Sequence, residues 1–179
     1  MRIVLFVLLL IGLTATGASA QTDKLNFHDR QAVVINNAPQ FIQLSDFSFR
    51  NTYSQSRFRL NTDLAWKNVS SKPIVAFEVV MLRYDPFNRP LSSGGRWLIT
   101  GRNSGDWSPL MPGQSSNDGM VGFDAEPVLT SIVYVRAIRF ADGDVWMFDR
   151  ASVEKQIRQK LPVLKELGEI NPPVGEPKK

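Results

Sequence analysis

From Arg57 to Lys67 apolar and polar residues alternate. Phe58, Leu60, Thr62, Leu64 and Trp66 fall on one side, and Arg57, Arg59, Asn61, Asp63, Ala65 and Lys67 on the other. A period of two predicts a strand with one buried and one wet face. In Ile74–Tyr84 both alternating sets are apolar: Val75, Phe77, Val79 and Met81 against Ile74, Ala76, Val80, Leu82 and Tyr84. This predicts a central strand covered on both faces. Leu129–Phe140 predicts another long strand, with Ile132, Tyr134, Ile138 and Phe140 in one register and Val133, Val135 and Ala137 in the other, interrupted by Arg136. Shorter strands are expected at 31–35, 96–100, 120–123 and 145–148. Asp142-Gly143 has the composition of a tight hairpin turn, because glycine accepts positive φ without steric cost. Asn68–Pro73 and Asp85–Pro90 read as turns, and Gly101–Ser116 as a loop.

After Asp149 the period changes. Val153, Ile157, Leu161 and Leu164 are spaced four, four and three, which predicts a helix over Ser152–Leu167, capped by Asp149 or Ser152 and kinked or ended by Pro162. Lys155, Arg158, Lys160 and Lys165 flank the apolar stripe. An amphipathic helix must bury such a stripe, either on its own domain or on a partner. The Pro-rich stretch that follows has no apolar period and reads as a disordered tail. The expected organisation is a lead-in (21–30), an antiparallel β-sandwich of about seven strands (31–150), a C-terminal helical extension (151–168) and a tail (169–179).

The turn Asn68-Val69-Ser70-Ser71-Lys72-Pro73, the strand ending Leu82-Arg83-Tyr84-Asp85 and the later Pro112-Gly113 resemble the small immunoglobulin-like, FxLYD-type modules of exported bacterial proteins. The resemblance covers roughly residues 57–125 and implies that the mainly β fold is an immunoglobulin-like, mostly non-catalytic β-sandwich.

The first residues point to export. Arg2 precedes an apolar run, Ile3–Leu13, which is followed by Ala18-Ser19-Ala20. The run is about half the roughly 20 residues that a spanning helix needs, so residues 1–20 read as a cleaved signal peptide rather than an anchor. The expected destination is periplasmic or secreted. The chain of 179 residues contains no cysteine, which excludes disulfides, thiolate catalysis and Cys-bearing metal sites. Its net charge of +4 is too small and too dispersed for a nucleic-acid partner.

Chemistry-bearing residues are few. The single histidine, His28, precedes the first expected strand. General acid–base work at neutral pH most often uses histidine, so an enzyme would have to rely on carboxylates such as Asp142 and Asp144. Turn formation already accounts for that pair, and no loop supplies the six to eight oxygens of a calcium site. Glu78, in an apolar strand, needs a partner such as Arg136 or Arg139. Trp66 and Trp146 are expected in the core, whereas Trp107 and Phe87 lie in loops where an aromatic can grip a ligand. Arg57, Arg59 and Lys67, near Arg50 and Lys72, form the densest basic neighbourhood, diluted by Asp63. These features predict a non-enzymatic interaction module of the cell envelope. It would use no cofactor, metal or nucleic acid. Its partner would be a protein or other envelope component, with a membrane surface as the lesser alternative. A small-ligand or glycan binder using Trp107 and Phe87 is the second reading, and a carboxylate enzyme the third.

Overall fold

The computed structural model describes residues 31–54, 57–92, 94–102, 107–124 and 127–171. The strands are β1 (Gln31–Ile35), β2 (Ile42–Ser54), β3 (Arg57–Asn68), β4 (Ile74–Tyr84), β5 (Gly95–Thr100), β6 (Ser115–Asp124), β7 (Thr130–Phe140) and β8 (Val145–Met147), followed by one helix, α1 (Arg150–Lys160). They form two sheets. One has the order β2-β3-β6; the other has the order β1-β7-β4-β5, with β8 also paired to β7. Apart from the parallel β1–β7 pair, all pairings are antiparallel.

The sheets pack face to face over a shared core. The alternation seen in the sequence explains this directly: Leu60, Leu64 and Trp66 of β3 face Phe77, Val79 and Met81 of β4. Trp66 meets Phe77 edge-to-face at 5.3 Å between ring centroids and Trp97 at 6.3 Å.

Three bulges rearrange the faces. In β4, Ile74 opposes Phe140 and Ala76 opposes Arg139, which leaves Val75 as the extra residue, so Ile74 faces the sandwich interior with Phe77, Val79 and Met81 rather than, as its parity predicts, the side of Val80, Leu82 and Tyr84. In β2 one extra residue is accommodated between Ser45 and Ser48, where Asp46 takes a left-handed φ of 48°. The bulge lets Ile42 and Leu44 on one side of it, and Phe47 and Phe49 on the other, all point into the core. In β7, Glu78 opposes Ala137 and Val79 opposes Val135, which leaves Arg136 as the extra residue. The expected single register of Ile132, Tyr134, Ile138 and Phe140 is therefore corrected. Ile138 and Phe140 face the sandwich interior, whereas Ile132 and Tyr134 face the opposite side.

That opposite side carries a third layer. Ile35, Val80, Leu82, Tyr84, Ile132 and Tyr134 are covered by Val153, Ile157, Leu161, Leu164, Leu167 and Ile170. Of the two sites open to the amphipathic stripe, the chain's own sheet takes it: Val153 and Ile157 are 0 % exposed. These residues are thus unavailable as a partner-docking face. The helix is shorter than expected. Asp149 caps it by accepting from the Ala151 N–H at 3.0 Å, and it stops at Lys160, since Leu161 precedes a proline and is pushed out of the helical region. From there an irregular strap continues to Asn171. The Tyr84 hydroxyl donates to the Leu167 carbonyl at 3.0 Å, and the Tyr134 hydroxyl donates to that of Ile170. Residues 169–171, expected within the tail, are thus packed at Ile170, and the remainder of that stretch lies outside the described residues.

Candidate functional site

At the end of the sandwich where β4 begins, the 38–41 turn, the 69–72 loop and the β7–β8 hairpin surround a cavity of about 480 Å³. Phe41, Phe140 and Trp146 form its aromatic wall. Phe41 meets Phe140 at 5.3 Å and Trp146 at 5.9 Å, both edge-to-face. The β7–β8 register places Trp146 opposite Ile138, on the interior side of the sheet. Because β8 is short and lies at an edge, the indole remains half-exposed there. Trp146, expected in the core, thus packs against it from the edge and is only partly buried.

The polar rim is an ion triad. Lys72 Nζ lies 2.6 Å from Asp142 and 2.5 Å from Asp144, and 5.7 Å from the centroid of the Phe140 ring. Hydrogen bonds to Asp142 and then Asp144 push the Lys72 ammonium up to about 12. The bond from Lys72 holds the Asp142 carboxyl below its ordinary range. Gly143, at φ 96°, makes the turn that brings the two carboxylates to one lysine. The rim loop is held by Asn68, whose amide donates to the carbonyls of Lys72 and Leu110, both at 2.9 Å, while its Oδ1 accepts from the Ser70 N–H.

The other expected site residues do not converge. Trp107 and Phe87 are 73 % and 77 % exposed. Leu110 bridges to Ile74, which places Trp107 near the beginning of β4, whereas Phe87 follows its end. Ten residues of extended strand, about 33 Å, separate these positions, so the two aromatics line no common cleft. Trp107 shares an end of the fold with the cavity but is not in its wall, and lies across β4 from Phe140. Phe87 stacks with the guanidinium of Arg89 at 5.2 Å. Burial of the Asp85 carboxylate acts to raise its pKa. Bonds from the Arg89 N–H and guanidinium and from the Phe87 N–H outweigh it and hold the group below the usual range.

Arg57 is the first residue of β3. Arg59 and Lys67 are exposed on that strand with Asp63 between them, and about 26 Å of strand separates the two cations. Arg59 and Lys67 therefore form no concentrated basic patch with each other. Glu78 pairs with Arg136 at 2.5 Å and lies 3.9 Å from Arg96. Both arginines also donate to Asn171 Oδ1, so this cluster fastens the end of the strap. His28 and residues 1–20 lie outside the described residues. Among the described residues no group of three His, Asp or Glu side chains is placed to hold a metal, and no helix is long and apolar enough to cross a membrane.

No known family pattern and no curated protein matches the chain. Among solved structures it is similar to a hypothetical protein from Peptoclostridium difficile 630, with a TM-score of 0.42 and 14 % identity over 66 % of this chain and 90 % of that one. It is also similar to the putative ApaA protein from Bordetella pertussis, with a TM-score of 0.44 and 15 % identity over 59 % of this chain and 84 % of that one. Likenesses this distant carry no weight for function.

Proposed function

We propose that this chain is a non-enzymatic interaction module of the cell envelope, exported by residues 1–20, and that it engages its ligand at the Phe41–Trp146 cavity. The observation that carries this reading is the half-exposure of two mutually packed aromatic side chains, Phe41 and Trp146, at one end of the sandwich. Such rings supply contact area at low conformational cost. The charged groups beside them are committed to one another, and the Asp142 carboxyl is held low rather than raised as a general acid would need. This weighs against the carboxylate-enzyme reading. The glycan reading through Trp107 and Phe87 lacks a shared cleft.

Strand order supports the immunoglobulin-like expectation. With β1 set aside, β2-β3-β6 stand as strands A-B-E, and β5-β4-β7-β8 as C′-C-F-G, seven strands in the chain order of that sandwich. The resemblance to FxLYD-type modules is proposed on the same footing.

The test is site-specific photocrosslinking in producing cells. A photoreactive side chain at Gln40 or Val145, on the cavity rim, is expected to give discrete adducts that the same side chain at Arg59 does not. Equal labelling at all three positions, or none at the rim, would sink the reading. The exported form should begin at Gln21 by intact mass; retention of Met1 would remove export by this segment.

A further inference from the structure

We infer that the cavity takes a basic side chain, arginine or lysine, from a partner polypeptide that lies along the outer edge of β8, which pairs with no further strand among the described residues. This rests on the binding-module reading above and specifies its ligand.

Charge comes first. One ammonium, Lys72, contacts two carboxylates, Asp142 and Asp144, which leaves this triad beside the cavity one negative charge in excess. An anionic ligand meets repulsion there, and a cationic one meets attraction. The wall supplies the second element of cation recognition, since aromatic faces attract ammonium and guanidinium groups. The protein already uses this chemistry once: Lys72 sits over the Phe140 ring while contacting both carboxylates. Phe41 and Trp146 are the remaining aromatic residues of the wall, and about 480 Å³ leaves room for a long basic side chain.

The edge of β8 favours a polypeptide over a free cation. The Phe140 N–H donates to the Asp144 carbonyl and the Phe148 N–H to the Arg136 carbonyl, both at 2.9 Å. Hydrogen bonding alternates along an antiparallel pair, so Val145 and Met147 direct their peptide groups away from β7. Their side chains are exposed, and Val145 is itself on the cavity rim. A strand added at this edge gains main-chain hydrogen bonds while one of its side chains enters the cavity.

The experiment titrates the isotopically labelled chain with acetyl-Thr-Arg-Thr-amide, with the Gln and Glu counterparts, and with arginine amide alone, reading the Trp146 indole N–H and the Val145 and Met147 amides. The Arg peptide should shift all three signals saturably, with the Gln peptide about tenfold weaker. Arginine amide should shift the indole and leave the two amides in place. Lys72→Met removes the internal competitor and is expected to tighten Arg-peptide binding about threefold or more, while Asp144→Asn weakens it by a similar factor. Both positions are on the rim, and the Trp66 indole signal reports that each variant is folded. Tighter binding of the Glu peptide, weaker Arg-peptide binding by Lys72→Met, or no saturable shift by about 10 mM peptide would overturn the inference. Rim adducts in the crosslinking experiment that persist in Asp142→Asn/Asp144→Asn would leave the module reading standing and remove this ligand class. Absence of rim adducts would remove both.

Discussion

The side chain of Asn37 substitutes for a strand residue opposite Val135: its Nδ2 donates to the Val135 carbonyl at 2.7 Å, and its Oδ1 accepts from the Val135 N–H at 3.0 Å. The reason lies in how β7 is used. β1 pairs with Thr130–Tyr134 and β8 with Ala137–Arg139, both along the edge opposite β4. Between them the Val135 peptide groups that point to this edge have no strand partner there, and an unpaired buried peptide group is costly. Asn37, just past the end of β1, supplies both a donor and an acceptor. Asn37→Ala should therefore destabilise the fold by about 1–3 kcal/mol in denaturant melts, because it orphans two backbone groups at once. Asn37→Asp keeps the acceptor and loses the donor, and should fall between. A loss within about 0.5 kcal/mol for Asn37→Ala, the range of an ordinary surface change, would show that water satisfies Val135 equally well.

The C-terminal strap should be indispensable to the fold. Leu161, Leu164, Leu167 and Ile170 are all buried against the outer face of the β7–β4 sheet. Each such side chain contributes about 1.5–3 kcal/mol, and together they rival the whole stability of an ordinary domain. Ending the chain after Lys160 should abolish cooperative unfolding, and truncation at Arg150 should be worse. A cooperative transition at an unchanged midpoint after either truncation would mean that the outer face does not need its cover.

Much of this fold was legible because its long strands obey simple periods. β3, β4 and β7 were recognisable from alternation, and the Asp142-Gly143 hairpin from turn chemistry. The bulges obscured the rest. At Asp46 the apolar residues change parity, so β2 shows no continuous period, and at Arg136 one strand serves two different cores. β6 begins inside the stretch read as a loop, since Ser115–Gly119 carries no apolar pattern, and its place is set by pairing with β3. The need of Glu78 for a partner was readable from one carboxylate in an apolar run, and Arg136 was among the two candidates named. The cavity was not readable. Phe41 and Trp146 are distant in sequence, and only the packing of the turn before β2 against the β7–β8 hairpin brings them together.

Two tryptophans provide a clean contrast. Trp66 is 1 % exposed and packs against Phe77 and Trp97, whereas Trp107 is among the most exposed large side chains. Trp66→Ala should cost about 3–5 kcal/mol, as large aromatic truncations in cores do. Trp107→Ala should stay within about 0.5 kcal/mol of the parent, as surface changes usually do. Denaturant melts of the two variants decide it; a larger loss for Trp107→Ala would invert the assigned core.

The buried tyrosines that hold the strap should give the fold an alkaline limit. Burial pushes the Tyr84 phenol up to about 12, outweighing the nearby charge of Arg158, and burial beside Tyr84 pushes Tyr134 higher still. In the unfolded chain both titrate near the ordinary value of about 10. A folded-state pKa raised above the unfolded one means that the stabilisation is fully present below about pH 10 and is lost as pH rises from there through the folded value. Within that window each tyrosine costs up to about 1.4 kcal/mol per pH unit. Tyr84→Phe removes one such titration together with its bond to the Leu167 carbonyl. It should begin about 1 kcal/mol less stable than the parent at pH 8, through the lost hydrogen bond, and decline less steeply above pH 10. The titration of lysines is common to both proteins and cancels in the difference. Urea melts from pH 8 to about 11.5 should therefore show the gap closing as pH rises. A constant gap across the range would mean that the Tyr84 hydroxyl ionises as readily in the folded chain as in the unfolded one, and that its bond to the strap does not exclude water.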